Sequence, residues 1–307
     1  MRAAVTGGSG FVGSALINKL LAENWAVAAL ARAPKWLRHT DVSIIEGDLD
    51  DNVALRNLAA GRDVFFHLAG VTHARRDPDY RRVNVDGAAR AAQIAADAGA
   101  KFVHISSLTA RRPEVSPYAR SKFDSENAVA SAAAGNPWLT LRLPAIYGPG
   151  DMVTLPYFKL VKSGFALEPG TQPAARASIL FVEDAAAAII AAVNAPAGAV
   201  YEVGDDCPEG HEWREIGAAL GRALGKNPRR IRVPRPLIGA YHAIIRAGER
   251  AANRAPSMRS GQINEFFHPD WVARDNLLSD ACGWRAATPL QQGFAKTAHW
   301  YQENDLL

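Results

Sequence analysis

The chain has 307 residues, enough for two compact cores or for one large α/β domain carrying a cap. Hydrophobic residues make up 48% and charged residues 21%, the balance of an ordinary globular protein. The formal net charge of +4, with no dense basic tract, does not point to nucleic acid as a partner. The two cysteines, Cys207 and Cys282, form no C-x-x-C pair, and no Cys/His group has metal-ligand spacing. Neither a disulfide framework nor a metal centre is expected, and a reducing cytoplasm is the default compartment. The chain starts on a strand-like run with no signal-peptide pattern, and the apolar run Ala185–Val193 is too short to span a bilayer, so no transmembrane segment is predicted.

In chain order, short apolar or β-branched runs predict strands at Arg2–Thr6, Ala26–Ala31, Val42–Glu46, Asp63–Leu68, Lys101–Ile105 and Trp138–Leu143. Helical patterns fall between them at Val12–Glu23, Val83–Ala98 and Tyr118–Ala134. This βαβα rhythm predicts a doubly wound parallel sheet with helices on both faces. It breaks at Pro144, after which helices are predicted at Asp184–Asn194, Trp213–Gly225, Pro236–Ala252 and Leu290–Gln302. The expected division is a cofactor-binding domain over residues 1–150 and a smaller α-rich substrate cap over 151–307, with some cap segments returning to the sheet. The basic, proline-punctuated stretch Lys226–Pro236 reads as a connector.

The run Thr6–Gly13 joins the first strand to the first helix, and Gly8, Gly10 and Gly13 satisfy G-x-G-x-x-G. Glycines there allow a tight turn, close approach of backbone to a pyrophosphate, and close helix–strand packing. The helix N-terminus, opened by Phe11 and Val12, presents N–H groups and a positive dipole end to phosphate. An NAD-preferring site carries an acidic residue roughly 20 positions on, at the ribose 2′-OH. Here the second strand is followed by Arg32, with Lys35 and Arg38 beyond and no acid before Asp41. A guanidinium at Arg32 suits the 2′-phosphate of NADP; a solvated loop arginine is the other reading, and NAD stays open.

Tyr118 and Lys122 form a Y-x-x-x-K pair on one face of a predicted helix. A phenol with a pKa near roughly 10 is a poor acid or base at neutral pH, and a neighbouring ammonium favours its ionised form. Ser106 and Ser107 end the preceding strand, at the carboxyl edge where ligands sit in open α/β sheets.

With these motifs in order, the chain resembles the extended short-chain dehydrogenases/reductases, the NAD-dependent epimerase/dehydratase group. The likeness continues through Gly47–Leu49, His67–Gly70, Asn84–Gly87, Arg142–Asp151 and Val182–Asp184. It implies a Rossmann-type fold. It also implies that Gly7, Gly10, Phe11, Val12 and Gly13 hold the pyrophosphate, that Asp48 bonds the adenine amine, and that Leu49 lies beside the ring. Leu68, Ala69 and Gly70 would pass the cofactor riboses, and Pro144 would border the nicotinamide. Tyr118 would be the general acid/base, Lys122 would hold the nicotinamide ribose, and Ser107 would orient the reacting oxygen.

The resemblance has departures. The Ser107-to-Tyr118 interval is short, and Ala145 stands where nucleotide-sugar members often carry an Asn that helps hold the nucleotide diphosphate. The expected activity is NAD(P)-dependent hydride transfer at a carbonyl or secondary alcohol. A nucleotide-sugar epimerase or dehydratase, and a non-catalytic cofactor-binding scaffold or sensor, are the alternatives. His73 and Arg176, with Arg75 and Arg76, would give the substrate mouth a positive field suited to an anionic small molecule. A homodimer is compatible with this reading.

Overall fold

The protein is described by a computed structural model over residues 1–33, 41–74, 76–237 and 261–307. Seven parallel strands form the central sheet: β1 (Arg2–Thr6), β2 (Ala26–Ala31), β3 (Val42–Glu46), β4 (Val64–His67), β5 (Lys101–Ser107), β6 (Trp138–Leu143) and, after four short cap strands, β11 (Ala199–Glu202). Their spatial order is β11-β6-β5-β4-β1-β2-β3. The order reverses beside β1, so a crevice opens at the strands' carboxyl ends, where α/β sheets bind ligands. Strands covered on both faces read as continuous apolar runs; in β2, five of the six residues are buried.

Helices α1 (Phe11–Ala22) and α7 (Val182–Ala191) cover one face, over a core that includes Leu16, Ile17, Leu20 and Ile189. Helices α2 (Asn52–Ala59), α4 (Gly87–Asp97) and α5 (Pro117–Ala132) cover the other, over Leu55, Leu58, Phe65 and Phe102. The fold is therefore the Rossmann-type α/β architecture. The cap has its own core, where the Phe158 ring meets those of Phe294 and Tyr301 and the Tyr147 ring meets those of Phe181 and Phe294. Helix α7 and strand β11 follow the first cap strands in sequence yet lie in the central layers.

Several elements differ from the sequence expectation. Strand β5 runs on to Ser107, so Ser106 and Ser107 are strand residues with ladder partners in β6. The helix expected from Val83 begins earlier, as a short helix α3 (Asp77–Tyr80) and a π-helical turn over Arg81–Asp86. The stretch Lys226–Pro236 is no simple connector. It contains β13 (Arg229–Val233), paired in parallel with β8 (Phe165–Pro169), because Ile231 and Val233 favour an extended chain between Pro228 and Pro234. From residue 238 onward the helix expected at Pro236–Ala252 lies outside the described residues, as do Lys35, Arg38 and Arg75. No helix among the described residues is long and apolar enough to cross a membrane.

Candidate active site

The loop after β1 is shaped by contacts that only glycine permits. Gly7 has φ +76°, and a Cβ there would lie 2.6 Å from the Ala69 nitrogen. A Cβ on Gly13 would fall 2.1 Å from the Gly7 carbonyl oxygen, so Gly13 lets α1 start against the turn. Gly10 is the N-cap of α1, and no side chain caps that end. Its first-turn N–H groups and dipole are thus available to an anion. A cavity of about 400 Å³ opens there, bounded by Gly7, Gly10, Arg32, Asp48, Leu49, Leu68, Ala69 and Gly70 among others. Glycine backbone at one end, and an arginine with an acid and a leucine at the other, match the donor set a dinucleotide requires.

The remaining loop residues lie differently. Phe11 borders a neighbouring groove of about 670 Å³ between α1 and α7, which meets the first cavity at Ser9 and Gly10. Val12 packs against the sheet core. Pro144 is buried between β6 and β7 (Ala145–Tyr147). Asp48 accepts from the Asp50 backbone N–H at 2.8 Å, while the N-cap of α2 is Asp51.

Tyr118 and Lys122 stand one turn apart on α5, whose N-terminus is set by Pro117 at the first turn and by the Ser116 side chain accepting from the Ala119 N–H at 3.0 Å. The Tyr118 ring lies 6.3 Å from that of buried Tyr80, whose hydroxyl donates to the Thr72 carbonyl. Ser107, ending β5, accepts from the Thr109 hydroxyl at 3.0 Å. Lys122 is buried and donates to the Ile105 carbonyl at 2.9 Å. A Cβ on Gly70 would lie 3.6 Å from its Nζ, which places the ammonium at the edge of the cavity. Burial pulls the Lys122 pKa down to about 8, against the opposing pull of Glu126.

Asn84 projects from the π-helical turn and joins three elements. Its Oδ1 accepts from the Val71 N–H at 2.8 Å, and its Nδ2 donates to the Val71 carbonyl and to Ser121 Oγ on α5. It thereby fixes the loop after β4 against the helix bearing Tyr118. Beneath Lys122, His67 and His104 face one another from adjacent strands with ring centroids 6.0 Å apart. Burial, with the nearby Lys122 charge, drives His67 down to about 3 and His104 well below its ordinary value, so both stay neutral.

The two expected substrate contacts are placed unequally. His73 is exposed on the loop braced by Asn84 and Tyr80, beside Thr72. Arg176 donates to the Glu209 and Gly210 carbonyls and to the Glu212 carboxylate, at 2.7 to 2.9 Å. Those bonds make it a brace within the cap.

Tyr80, Ser116, Glu126 and Arg111 were not singled out from the sequence. Tyr80 had one available signal: it stands four residues before Asn84, a helical spacing. Arg111, just after Ser107, reaches Glu202 on β11 and the Val272 and Asp270 carbonyls of the cap. No local pattern reports such a contact. In the cap, Asp205, Asp206 and His211 also gather, with both Asp205 oxygens engaged by the Ile179 and Cys207 N–H groups.

The sequence profile of the NAD dependent epimerase/dehydratase family matches residues 3–204. Ceramide reductase of Caulobacter vibrioides (strain NA1000 / CB15N) is 37% identical over 303 residues, spanning 97% of this chain and 94% of that protein. A 4-hydroxy-2-methyl-3-oxo-4-farnesyl-3,4-dihydroquinoline-1-oxide ketoreductase of Stigmatella aurantiaca is 38% identical over 111 residues, 34% of this chain and 33% of that one. Among solved structures, UDP-glucose 4-epimerase of Thermotoga maritima superposes with a TM-score of 0.76 at 17% identity, covering 99% of each chain; it shares the fold. With its Gly7–Gly13 cradle, its Tyr118–Lys122 pair and this profile over most of its length, the chain belongs to the NAD-dependent epimerase/dehydratase family.

Proposed function

We propose that the protein is a carbonyl reductase of this family, acting on a ceramide-like lipid ketone with NADPH as the preferred reductant. The observation that carries the reading is the placement of Lys122, buried on the helix of Tyr118 and within reach of the cavity edge at Gly70. A reduced nicotinamide bound in the cavity would supply the hydride. Tyr118 delivers the proton to the nascent alkoxide, and the Lys122 ammonium favours the resulting phenolate. Ser107 holds the reacting oxygen through its hydroxyl. Arg32, exposed at the cavity rim, meets the 2′-phosphate, and Asp48 and Leu49 take the adenine. In this reading His73, exposed on the loop after β4, would face the substrate.

The lipid class comes from the named activity of the Caulobacter relative, which spans nearly the whole chain. Ala145, in place of the asparagine common in nucleotide-sugar enzymes, speaks in the same direction. The test is incubation with NADPH or NADH and either a ceramide bearing a ketone in place of its secondary alcohol or UDP-glucose. Consumption of NADPH with the lipid ketone alone is expected. Interconversion of UDP sugars without net cofactor consumption overturns the proposal.

A further inference from the structure

The two-stranded sheet of β8 and β13 is inside out for a surface sheet. The register pairs Phe165 with Arg229, Leu167 with Ile231 and Pro169 with Val233, so these residues share one face. The opposite face carries Ala166, Glu168, Arg230 and Arg232. It lies toward helix α8 (Trp213–Ala223), where a Cβ on Gly217 would approach the Ala166 Cβ to 2.9 Å. On that inner face Arg230 pairs with the buried Glu168 carboxylate through two N–H groups. A sheet with one solvated face ordinarily turns polar residues to water. Here the outward face bears Phe165 at 41% and Ile231 at 38% exposure, with Leu237 at 63% just beyond the strand.

The chain that forms the β13 edge of this face is basic. Between Lys226 and Leu237 there is no acidic residue, while Lys226, Arg229, Arg230, Arg232 and Arg235 are all exposed. The Glu168 carboxylate is taken by Arg230, and Arg235 donates to Asn264. Lys226 and Arg229 stand at the entry to the strand, and Arg229 shares the face of Phe165 and Ile231. An exposed apolar patch rimmed by cations has the composition of a surface that meets an anionic bilayer: the aromatic and aliphatic groups enter the headgroup–acyl boundary and the cations meet lipid phosphate.

We infer that the outward face of β8 and β13, with Phe165, Ile231 and Leu237 set beside Lys226 and Arg229, docks the protein on anionic phospholipid membrane. A second copy of the chain would present the same cations and meet them with like charge, which disfavours self-association through this face. The inference stands on this surface alone and is independent of the catalytic reading.

Sedimentation with vesicles tests it, using equal parts phosphatidylglycerol and phosphatidylcholine against phosphatidylcholine alone. The protein should sediment with the anionic vesicles at low ionic strength, and less as salt rises. A basic residue near such a surface contributes about 1 kcal/mol, so Lys226→Gln and Arg229→Gln should each lower the partition coefficient about fivefold. Phe165→Ser with Ile231→Ser should lower it further. Circular dichroism melting of each variant must match the parent, and Val53→Ser, at an exposed valine outside this sheet, serves as the control that retains binding. Three results overturn the inference: no sedimentation with anionic vesicles, sedimentation unchanged in the variants, or concentration-dependent dimerisation lost in the variants with no vesicle binding.

Discussion

Glu126 lies one turn beyond Lys122 on α5, and its two carboxylate oxygens receive Nε and Nη2 of Arg142 at 3.0 and 2.7 Å. Glu126 is buried, Arg142 is half-buried, and the network continues outward. Ser106 donates to Glu126 at 2.6 Å, Arg142 reaches Glu202 at 3.6 Å, and Glu202 meets Arg111 at 3.3 Å. Through Arg111 the chain of charges ends on the cap carbonyls of Val272 and Asp270. The helix bearing Tyr118, the strand bearing Ser107 and the cap are thus tied by one alternating series of charges.

Removing Arg142 leaves Glu126 without its paired cation, while Glu202 keeps Arg111. Arg142→Ala thus carries a loss of about 3–5 kcal/mol for a broken buried pair. Urea unfolding should show a midpoint shift of that size. A change below about 1 kcal/mol would mean that water reaches the Glu126 carboxylate.

For the chemistry, Tyr118→Phe keeps the ring beside Tyr80 and removes the proposed proton donor. Turnover should fall by about 10²–10⁴ while cofactor affinity, read by fluorescence titration, stays near that of the parent. Near-normal turnover with the lipid ketone would reject Tyr118 as the acid.

The proposed preference for NADPH rests on Arg32. Calorimetric titration should give tighter binding of NADPH than of NADH, and Arg32→Ala should narrow the difference by weakening NADPH alone. Equal affinities in the parent protein would remove the 2′-phosphate role.

The buried imidazoles set an acid limit. His67 is held neutral with a folded pKa of about 3, whereas an unfolded imidazole titrates near 6.5. Between those values the unfolded chain binds the extra proton, so this stabilisation is complete above about pH 6.5 and is lost as pH falls toward about 3. Lys122 acts in another window. Its folded pKa of about 8 lies below the ordinary 10.5, so its contribution to stability rises as pH climbs from about 8 to about 10.5. Urea unfolding across pH should show both slopes. Lys122→Met should flatten the alkaline one, and an unchanged slope in that variant would assign it elsewhere.

Much of this architecture was legible in the residues themselves. The strands β1, β2, β3 and β6 follow from short runs rich in apolar and β-branched residues with turn residues at their ends, and β1 and β2 are nearly all apolar because both their faces are covered. The glycine loop and the Tyr118–Lys122 pair were legible because each is a local spacing on one element, and backbone geometry alone turns that spacing into proximity. Tertiary structure decided what depends on contacts distant in sequence. Arg176 sits in a sequence context suited to a substrate mouth, yet its donors are consumed by Glu209, Gly210 and Glu212, more than thirty positions away. The stretch around Ile231 carries a strand's composition, but it needed Phe165–Pro169 as a hydrogen-bonding partner to become one. Glu126, Arg142, Glu202 and Arg111 come from four separate elements. No periodicity predicts their meeting, because a buried charge finds its partner only when packing has removed the water that would otherwise solvate it.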